Sequence, residues 1–332
     1  MSTRVTLAAW LAVACSLPRF APRAAPGNAS GQAPARAPAG AASGRRPCPV
    51  TPGEIGRLRD EQLDEISGVV ESTKNPDVLF VHNDSGDSPR FFAIDRRGEM
   101  LAELELAKVP KLIDAEDIAL GPGPGGGSFV YLGDTGNNFA SFHLGIPRRK
   151  AVLYRVAEPA IASSARQQKL KLKDAFPIVL TFPRGARDVE AFFVDPVGGE
   201  LFLISKQRDG HSQLLAASAA QLAGGGGQLT YLGELRFGQS SLPGSAMPTS
   251  AAISKDGSAI LVRTYSSVLL FARHPGESVP SALGRAPRWL PPPHEAQGEA
   301  IAFVDGDRAF VTISEGVKPA INCAALERAM PP

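Results

Sequence analysis

Short apolar runs alternate with clusters of Gly, Pro, Asn and Asp along most of the chain, which is typical of many short strands joined by turns. Residues 78–86 (VLFVHNDSG) and 129–138 (FVYLGDTGNN) both pass from an apolar run directly into a cluster of small polar groups. Helical periodicity is nearly absent and favours short helices only at residues 217–222 and 324–330. The pattern predicts an all-β fold.

Five segments share one outline, in which an apolar strand, a turn and a second apolar strand follow each other. They begin at Glu65, Glu116, Glu190, Thr249 and Glu299. Third and fourth strands follow in most units, such as FFAIDRRG and MLAELELA after the first. Four short strands in each repeat of roughly 50 to 75 residues are typical of β-propeller blades. The sequence therefore predicts a single β-propeller of four-stranded antiparallel blades.

The last unit has three strands and lacks a fourth. Residues 50–63, which precede the first unit, can supply one additional strand. We expect this N-terminal strand to complete the last blade and close the ring. Five blades are favoured, with six as the alternative because the second unit is long. Cys48 and Cys323 would then lie on neighbouring strands of one blade, and in an exported protein two such cysteines favour a disulfide.

The N-terminal segment predicts export. Residues 5–14 form an uncharged run that is too short to span a bilayer but is typical of a signal peptide. Residues 12–15 (AVAC) resemble a bacterial lipobox, so residues 1–15 are either a secretion signal or a lipoprotein signal that is lipidated at Cys15. Residues 16–47 are rich in Ala, Pro and Gly, which predicts a disordered tether before the propeller domain of residues 48–332. The expected location is the bacterial periplasm or cell surface, with membrane contact only through a lipid anchor.

The charge distribution excludes nucleic-acid binding. The formal net charge of the chain is +2, but residues 1–47 contain six arginines and no acidic residue. All 33 Asp and Glu residues lie in the predicted folded part, which is therefore mildly acidic. A nucleic-acid-binding domain needs clustered basic residues and a positive charge. We expect a monomer that binds a small molecule or a cation.

In a propeller, the innermost strand of each blade starts at the face where the second strand ends, so the polar clusters are expected to meet in a central funnel. The predicted metal ligands are Glu65, Glu116, Asp134, Glu190 and Glu299. The predicted ligand-binding residues are Asn83, Asp84, Asn138, Lys206, Arg263, Tyr265 and Glu315. Carboxylate and amide oxygens without His or Cys clusters favour Ca²⁺ as the cofactor.

Architectural roles for these residues remain open. A glutamate that recurs at one blade position can accept hydrogen bonds from the backbone of the next blade. Asp84, Asp134 and Asn138 can stabilise turns, while Lys206 and Arg263 can pair with the acidic residues. His82 is a candidate catalytic residue or a histidine with a purely structural role at the rim.

The motifs EISGV with VHNDSG, DAEDIAL with GDTGNN, DVEAFF with LISK, and QGEAIA with SEG resemble those of exported bacterial β-propeller proteins, loosely grouped with phytase-like and lactonase-like propellers. Phytase-like propellers have six blades, bind Ca²⁺ and hydrolyse phosphate esters. Lactonase-like propellers hold one divalent cation with Glu and Asn or Asp ligands. The resemblance implies that Glu65, Asn83, Asp134 and Glu190 match such ligands by type and location.

Three functional hypotheses follow. The first is an exported or lipid-anchored propeller that binds a small ligand or divalent cation in its central funnel. The second is a metal-dependent hydrolase of a lactone, ester or phosphate ester, in which the cation activates water and His82 or a rim glutamate acts as the base. The third is a protein-interaction scaffold in which the acidic residues are architectural.

Overall fold

The structure is a computed structural model that describes residues 47–84, 86–137, 147–162, 165–207, 211–238 and 245–326. Twenty-two strands and two short helices account for the regular structure of these residues. The helices are α1 (Ala219–Gly224) and α2 (Val279–Leu283). The predicted all-β fold is confirmed, and none of the described helices is long and apolar enough to cross a membrane.

The strands form five sheets, which are the blades of the propeller. The chain begins with β1 (Gly53–Arg57). The first blade contains β2 (Ile66–Glu71), β3 (Val78–Asn83), β4 (Arg90–Asp95), β5 (Met100–Leu106) and β9 (Gln168–Leu172). The second contains β6 (Ala115–Pro122), β7 (Ser128–Asp134), β8 (Lys150–Ala157), β10 (Phe176–Thr181) and β14 (Gly226–Gln228).

The remaining three blades have four strands each. The third contains β11 (Val189–Val194), β12 (Leu201–Ser205), β13 (Ser212–Ala217) and β15 (Thr230–Leu235). The fourth contains β16 (Pro248–Ile253), β17 (Ala259–Thr264), β18 (Val268–Ala272) and β19 (Arg288–Leu290). The fifth contains β20 (Gly298–Val304), β21 (Ala309–Ser314), β22 (Ala320–Ala325) and β1.

The inner strands β2, β6, β11, β16 and β20 contact each other in a closed ring, β20 meeting β2. Each pair of adjacent blades encloses its own apolar core, so the five cores lie between the blades. An inner strand is therefore covered on both faces. This explains why VEAFFV in β11 is apolar almost throughout rather than alternating.

The fifth blade joins the two ends of the domain. β1 pairs antiparallel with β22, and Gly53 lies opposite Cys323. A disulfide links Cys48, which precedes β1, to Cys323, with the Cα atoms 5.3 Å apart. The predicted ring closure and the predicted disulfide are both present.

Five blades are confirmed, and the six-blade alternative is wrong. The second unit is long because its chain leaves the blade between β8 and β10 and forms β9, which pairs parallel with β5 of the first blade. β14 pairs parallel with β10 in the same way. The sequence did not predict these two edge strands, which add to neighbouring blades instead of forming a new one.

The two predicted helices have different outcomes. The one at residues 217–222 corresponds to α1, where the Ser218 hydroxyl and the Gln221 side chain form a capping box. The one at residues 324–330 is wrong at its start, because β22 continues to Ala325. The signal with Cys15, most of the predicted tether, and Asn138 lie outside the described residues.

Candidate functional site

Each inner strand has a β-bulge at its second residue, near one end of the channel. A bulge turns a side chain away from the regular alternation of a strand, and bulges are common beside functional sites. The five bulge residues are Ser67, Glu116, Glu190, Thr249 and Glu299. Four of the five unit starts predicted from the sequence coincide with this position. In the first blade the equivalent residue is Ser67 and not Glu65.

Two residues before each bulge lies a second position of the repeat, closer to the rim. Its occupants are Glu65, Asp114, Asp188, Met247 and Gln297. The second and third blades therefore share an Asp-x-Glu motif, Asp114-x-Glu116 and Asp188-x-Glu190. Sequence reasoning missed Asp114 and Asp188, although this shared motif within DAEDIAL and DVEAFF was the signal that could have identified them.

Five carboxylates come together at this end of the channel. Carboxylate oxygens of Asp84, Asp114 and Glu116 lie within 4.8 Å of one another, and so do those of Glu116, Asp188 and Glu190. Glu116 belongs to both groups, so the five residues form one continuous set, which we call the acidic cluster. Asp114, Glu116 and Glu190 are buried, while Asp84 and Asp188 are half-buried.

The environment disfavours ionisation of the acidic cluster. Burial raises the pKa of Glu116 well above its usual range, and the charges of Glu190, Asp84 and other cluster members add to the rise. Burial likewise raises the pKa of Glu190, against the opposing effect of Lys206. Carboxylates held together in this way are stabilised by a bound cation.

Glu299 lies close enough to the acidic cluster to interact electrostatically with Glu190. Burial raises the pKa of Glu299 to about 7. The Gln297 side chain donates a hydrogen bond to Glu299 (3.0 Å) and another to Glu315. Glu299 is thus a buried carboxyl at the edge of the cluster.

Two basic side chains approach this region. Lys206 forms an ion pair with Glu190, and its Nζ lies 5.1 Å from the centre of the Tyr265 ring. Burial alone would lower the pKa of Lys206, but Glu190 and Tyr265 raise it. Arg148 forms an ion pair with Asp134 (2.8 Å). Asp134 is therefore already neutralised, and it belongs to neither carboxylate group.

Gly136 makes room for the cluster. Its backbone N–H donates to the Asp114 carbonyl (3.1 Å), as the N–H of Lys206 does to Asp188 in the next blade. A Cβ atom on Gly136 would lie 2.7 Å from Asp114 Cγ and even closer to Glu116 Oε1. The space that Lys206 fills with a side chain in the third blade is thus occupied by carboxylates in the second.

Several other predicted residues lie outside the acidic cluster. Arg263 is 1% exposed and forms a buried ion pair with Glu295 (2.9 Å). Glu65 is exposed, and partial burial with nearby Asp64 raises its pKa. The Asn83 amide donates to the Gln62 carbonyl (2.6 Å).

His82 is almost completely buried, with 1% of its surface exposed. Its Nδ1 lies 2.8 Å from the Asn83 carbonyl, while its Nε2 has no hydrogen-bond partner among the described residues. Burial lowers the pKa of His82 to about 4, so the ring is neutral at physiological pH.

Asp117 follows the bulge of the second blade and joins three blades. Its carboxylate accepts hydrogen bonds from the backbone N–H groups of Ile118 (2.9 Å), Phe192 (3.2 Å) and Ala251 (3.2 Å), and from the Ser250 hydroxyl. Burial raises its pKa well above the usual range, against the effect of these hydrogen bonds. The carboxyl group therefore lies between the inner strands β6, β11 and β16.

Comparisons with known proteins identify no family. No protein-family model matches the chain, and no curated protein matches it. One matching solved structure is titled "Crystal structure of glucose dehydrogenase"; it is 10% identical, with a TM-score of 0.45, over 83% of this chain and 100% of that chain. This likeness carries no argument about function.

Proposed function

We propose that this protein binds a divalent cation, with Ca²⁺ favoured, in the acidic cluster at one end of the propeller channel, where the cation would help to hold a small ligand. The observation that carries the proposal is the convergence of Asp84, Asp114, Glu116, Asp188 and Glu190 from three blades. Their residue types supply only oxygen ligands, which suit a hard cation such as Ca²⁺ better than Zn²⁺ or Cu²⁺.

The charge balance supports a cation rather than an anion. Among the described residues, Lys206 pairs with Glu190 and Arg148 pairs with Asp134, so both of these bases already have an acidic partner. The half-buried Asp84 and Asp188 give the cluster access to solvent. An anionic ligand would need an uncompensated basic group, which neither of these two side chains provides.

The first experiment is thermal unfolding of the full chain after removal of metals with a chelator, with Ca²⁺, Mg²⁺ or Mn²⁺ then added back. A cation that binds only the folded state stabilises it by about 2.7 kcal/mol at a hundredfold excess over its dissociation constant. We expect a saturable rise of the melting temperature with Ca²⁺. No response to any of the three cations would contradict the proposal and favour the interaction-scaffold hypothesis.

Glu116→Gln is the decisive variant, because Glu116 belongs to both carboxylate groups. Without metal, the variant should be more stable than the wild type, since it removes a buried carboxylate that is repelled by its neighbours. Ca²⁺ should no longer raise the melting temperature of the variant. Glu61→Gln is the matched control, because the Glu61 side chain is 87% exposed, and it should behave like the wild type. An equal response of Glu116→Gln and the wild type would contradict the site.

Hydrolysis of an ester, lactone or phosphate ester is the second candidate, and Glu299 is the observation that favours it. A carboxyl group with a pKa of about 7 beside a metal site suits general base catalysis. A screen of these substrates with Ca²⁺ and with Mn²⁺ tests it, with Glu299→Gln as the inactive control. Turnover that survives in Glu299→Gln would exclude this role.

Export is also proposed, on the support of the disulfide between Cys48 and Cys323. Disulfides persist in oxidising compartments and are rare in the cytosol. Lipidation of Cys15 and a monomeric state stay predictions.

A further inference from the structure

A cavity lies at the other end of the inner strands, away from the bulges. Its volume is about 330 Å³, within the range of small-molecule sites. All five blades contribute to its wall, which is largely apolar. The wall includes Val70, Leu120, Phe193, Ile253, Ala302 and Phe303.

Asp117 lies between this cavity and the acidic cluster. Ile118 and Ala251 line the cavity, and their backbone N–H groups donate to the Asp117 carboxylate. On the other side, Asp117 directly follows Glu116 of the acidic cluster. A molecule in the apolar cavity would therefore occupy a site distinct from that of the proposed cation.

The charged residues of the cavity are Glu71, Lys255 and Asp307. Lys255 Nζ pairs with Glu71 (3.0 Å), and Glu71 also pairs with Arg96 (2.8 Å), so both charges are compensated. Asp307 Oδ2 accepts a hydrogen bond from the Lys255 backbone N–H (2.9 Å). Asp307 Oδ1, by contrast, is buried and has no hydrogen-bond partner among the described residues.

An unpartnered carboxylate oxygen is unfavourable when buried, and a donor group on a ligand would satisfy it once the half-buried Asp307 side chain turns toward the cavity. We propose that this cavity binds a small, largely apolar molecule that carries one hydrogen-bond donor, an ammonium or a hydroxyl group, placed against Asp307. The apolar body would lie against the inner-strand side chains, where its removal from water supplies most of the affinity. The donor would fix its orientation.

Three naphthalene probes with one body and different polar groups test the proposal: 1-naphthylmethylamine, 1-naphthalenemethanol and 1-naphthoate. Calorimetric titration of the full chain should give saturable binding of the amine and the alcohol. Binding of the carboxylate should be about tenfold weaker or more, because it offers Asp307 no donor. Absence of saturable binding by all three probes would overturn the site, and equal affinity for the carboxylate would overturn the role of Asp307.

Two variants locate the binding. Ala252→Phe fills the cavity from a half-buried wall position, so it should abolish probe binding. Asp307→Asn should weaken binding of the amine probe about tenfold or more. The Asn substitution is compatible with the backbone, because Asp307 has a φ of 64°, a conformation that Asn tolerates. Asp174→Asn, at an exposed position, is the matched control and should change nothing.

The melting temperature shows whether each variant is folded. Binding that persists in folded Ala252→Phe would overturn the location of the site. Binding of the amine that is unchanged in Asp307→Asn would overturn the donor contact.

Discussion

At the scale of single residues, the acidic cluster depends on a glycine as much as on its carboxylates. Gly136 occupies the place where the third blade has Lys206, and its missing side chain is the space in which Asp114 and Glu116 lie. A methyl group at Gly136 would clash with both carboxylates. Because the surrounding side chains are closely packed, the carboxylates could avoid this clash only by moving out of their present positions.

We therefore predict that Gly136→Ala reduces Ca²⁺ affinity about tenfold or more, by displacing Glu116 and Asp114. Calorimetric titration of the chelator-treated variant measures the loss. Gly224→Ala is the matched control, because a Cβ atom at Gly224 meets nothing within 4 Å and Gly224 lies in α1. The control should bind Ca²⁺ normally, and normal binding by Gly136→Ala would contradict the role of this glycine.

At the scale of elements, the fifth blade depends on both ends of the domain. β1 is its outer strand: it pairs with β22, the disulfide between Cys48 and Cys323 holds its N-terminal side, and the Arg57 backbone N–H donates to the Arg97 carbonyl of the first blade (3.1 Å). A crosslink between residues 275 positions apart restricts the unfolded chain far more than a local one does. Ring closure should therefore contribute strongly to stability.

The double variant Cys48→Ala, Cys323→Ala should lose about 2 to 5 kcal/mol of unfolding free energy, measured by denaturant titration. Alanine is chosen because Cys323 lies in an apolar core, where a serine hydroxyl would lack a partner. Reduction of the wild type with dithiothreitol should reproduce the loss and leave the double variant unchanged. A double variant as stable as the oxidised wild type would show that β1 needs no covalent link.

At the scale of the whole molecule, the buried carboxylates link stability to pH. The pKa of Glu299 is raised to about 7, and burial raises the pKa values of Glu116 and Glu190 well above the usual range. The folded protein therefore retains protons that the unfolded chain has released, so its stability falls as pH rises through these values. His82, with its pKa lowered to about 4, acts in the opposite direction, but only below pH 6.5.

Between pH 6.5 and 8.5, we predict that the metal-free protein loses about 1 to 3 kcal/mol of unfolding free energy. The stabilisation by Ca²⁺ should grow over the same range, because Ca²⁺ binds the ionised carboxylates. Denaturant titrations with chelator and with Ca²⁺ at both pH values measure the two effects. Glu299→Gln should show a smaller loss, whereas a metal-free protein that gains stability with pH would contradict the prediction.

The sequence by itself determined the architecture. Apolar runs, turn residues between them and a recurrence of about 50 to 75 residues can each be recognised in the sequence without knowing what the strands contact. The spare N-terminal strand and the positions of Cys48 and Cys323 then predicted how the ring closes. The repeat also indicated that Glu116, Glu190 and Glu299 are equivalent.

Only the tertiary structure decided which side chains meet. The bulges make Ser67 rather than Glu65 the equivalent of Glu116, and a bulge leaves no mark in an apolar pattern. Asp114 and Asp188 join the acidic cluster while Arg263 turns to Glu295, because contacts between blades depend on register and on the space that neighbours leave. The apolar cavity has the same origin, since five inner strands distant in sequence enclose it together.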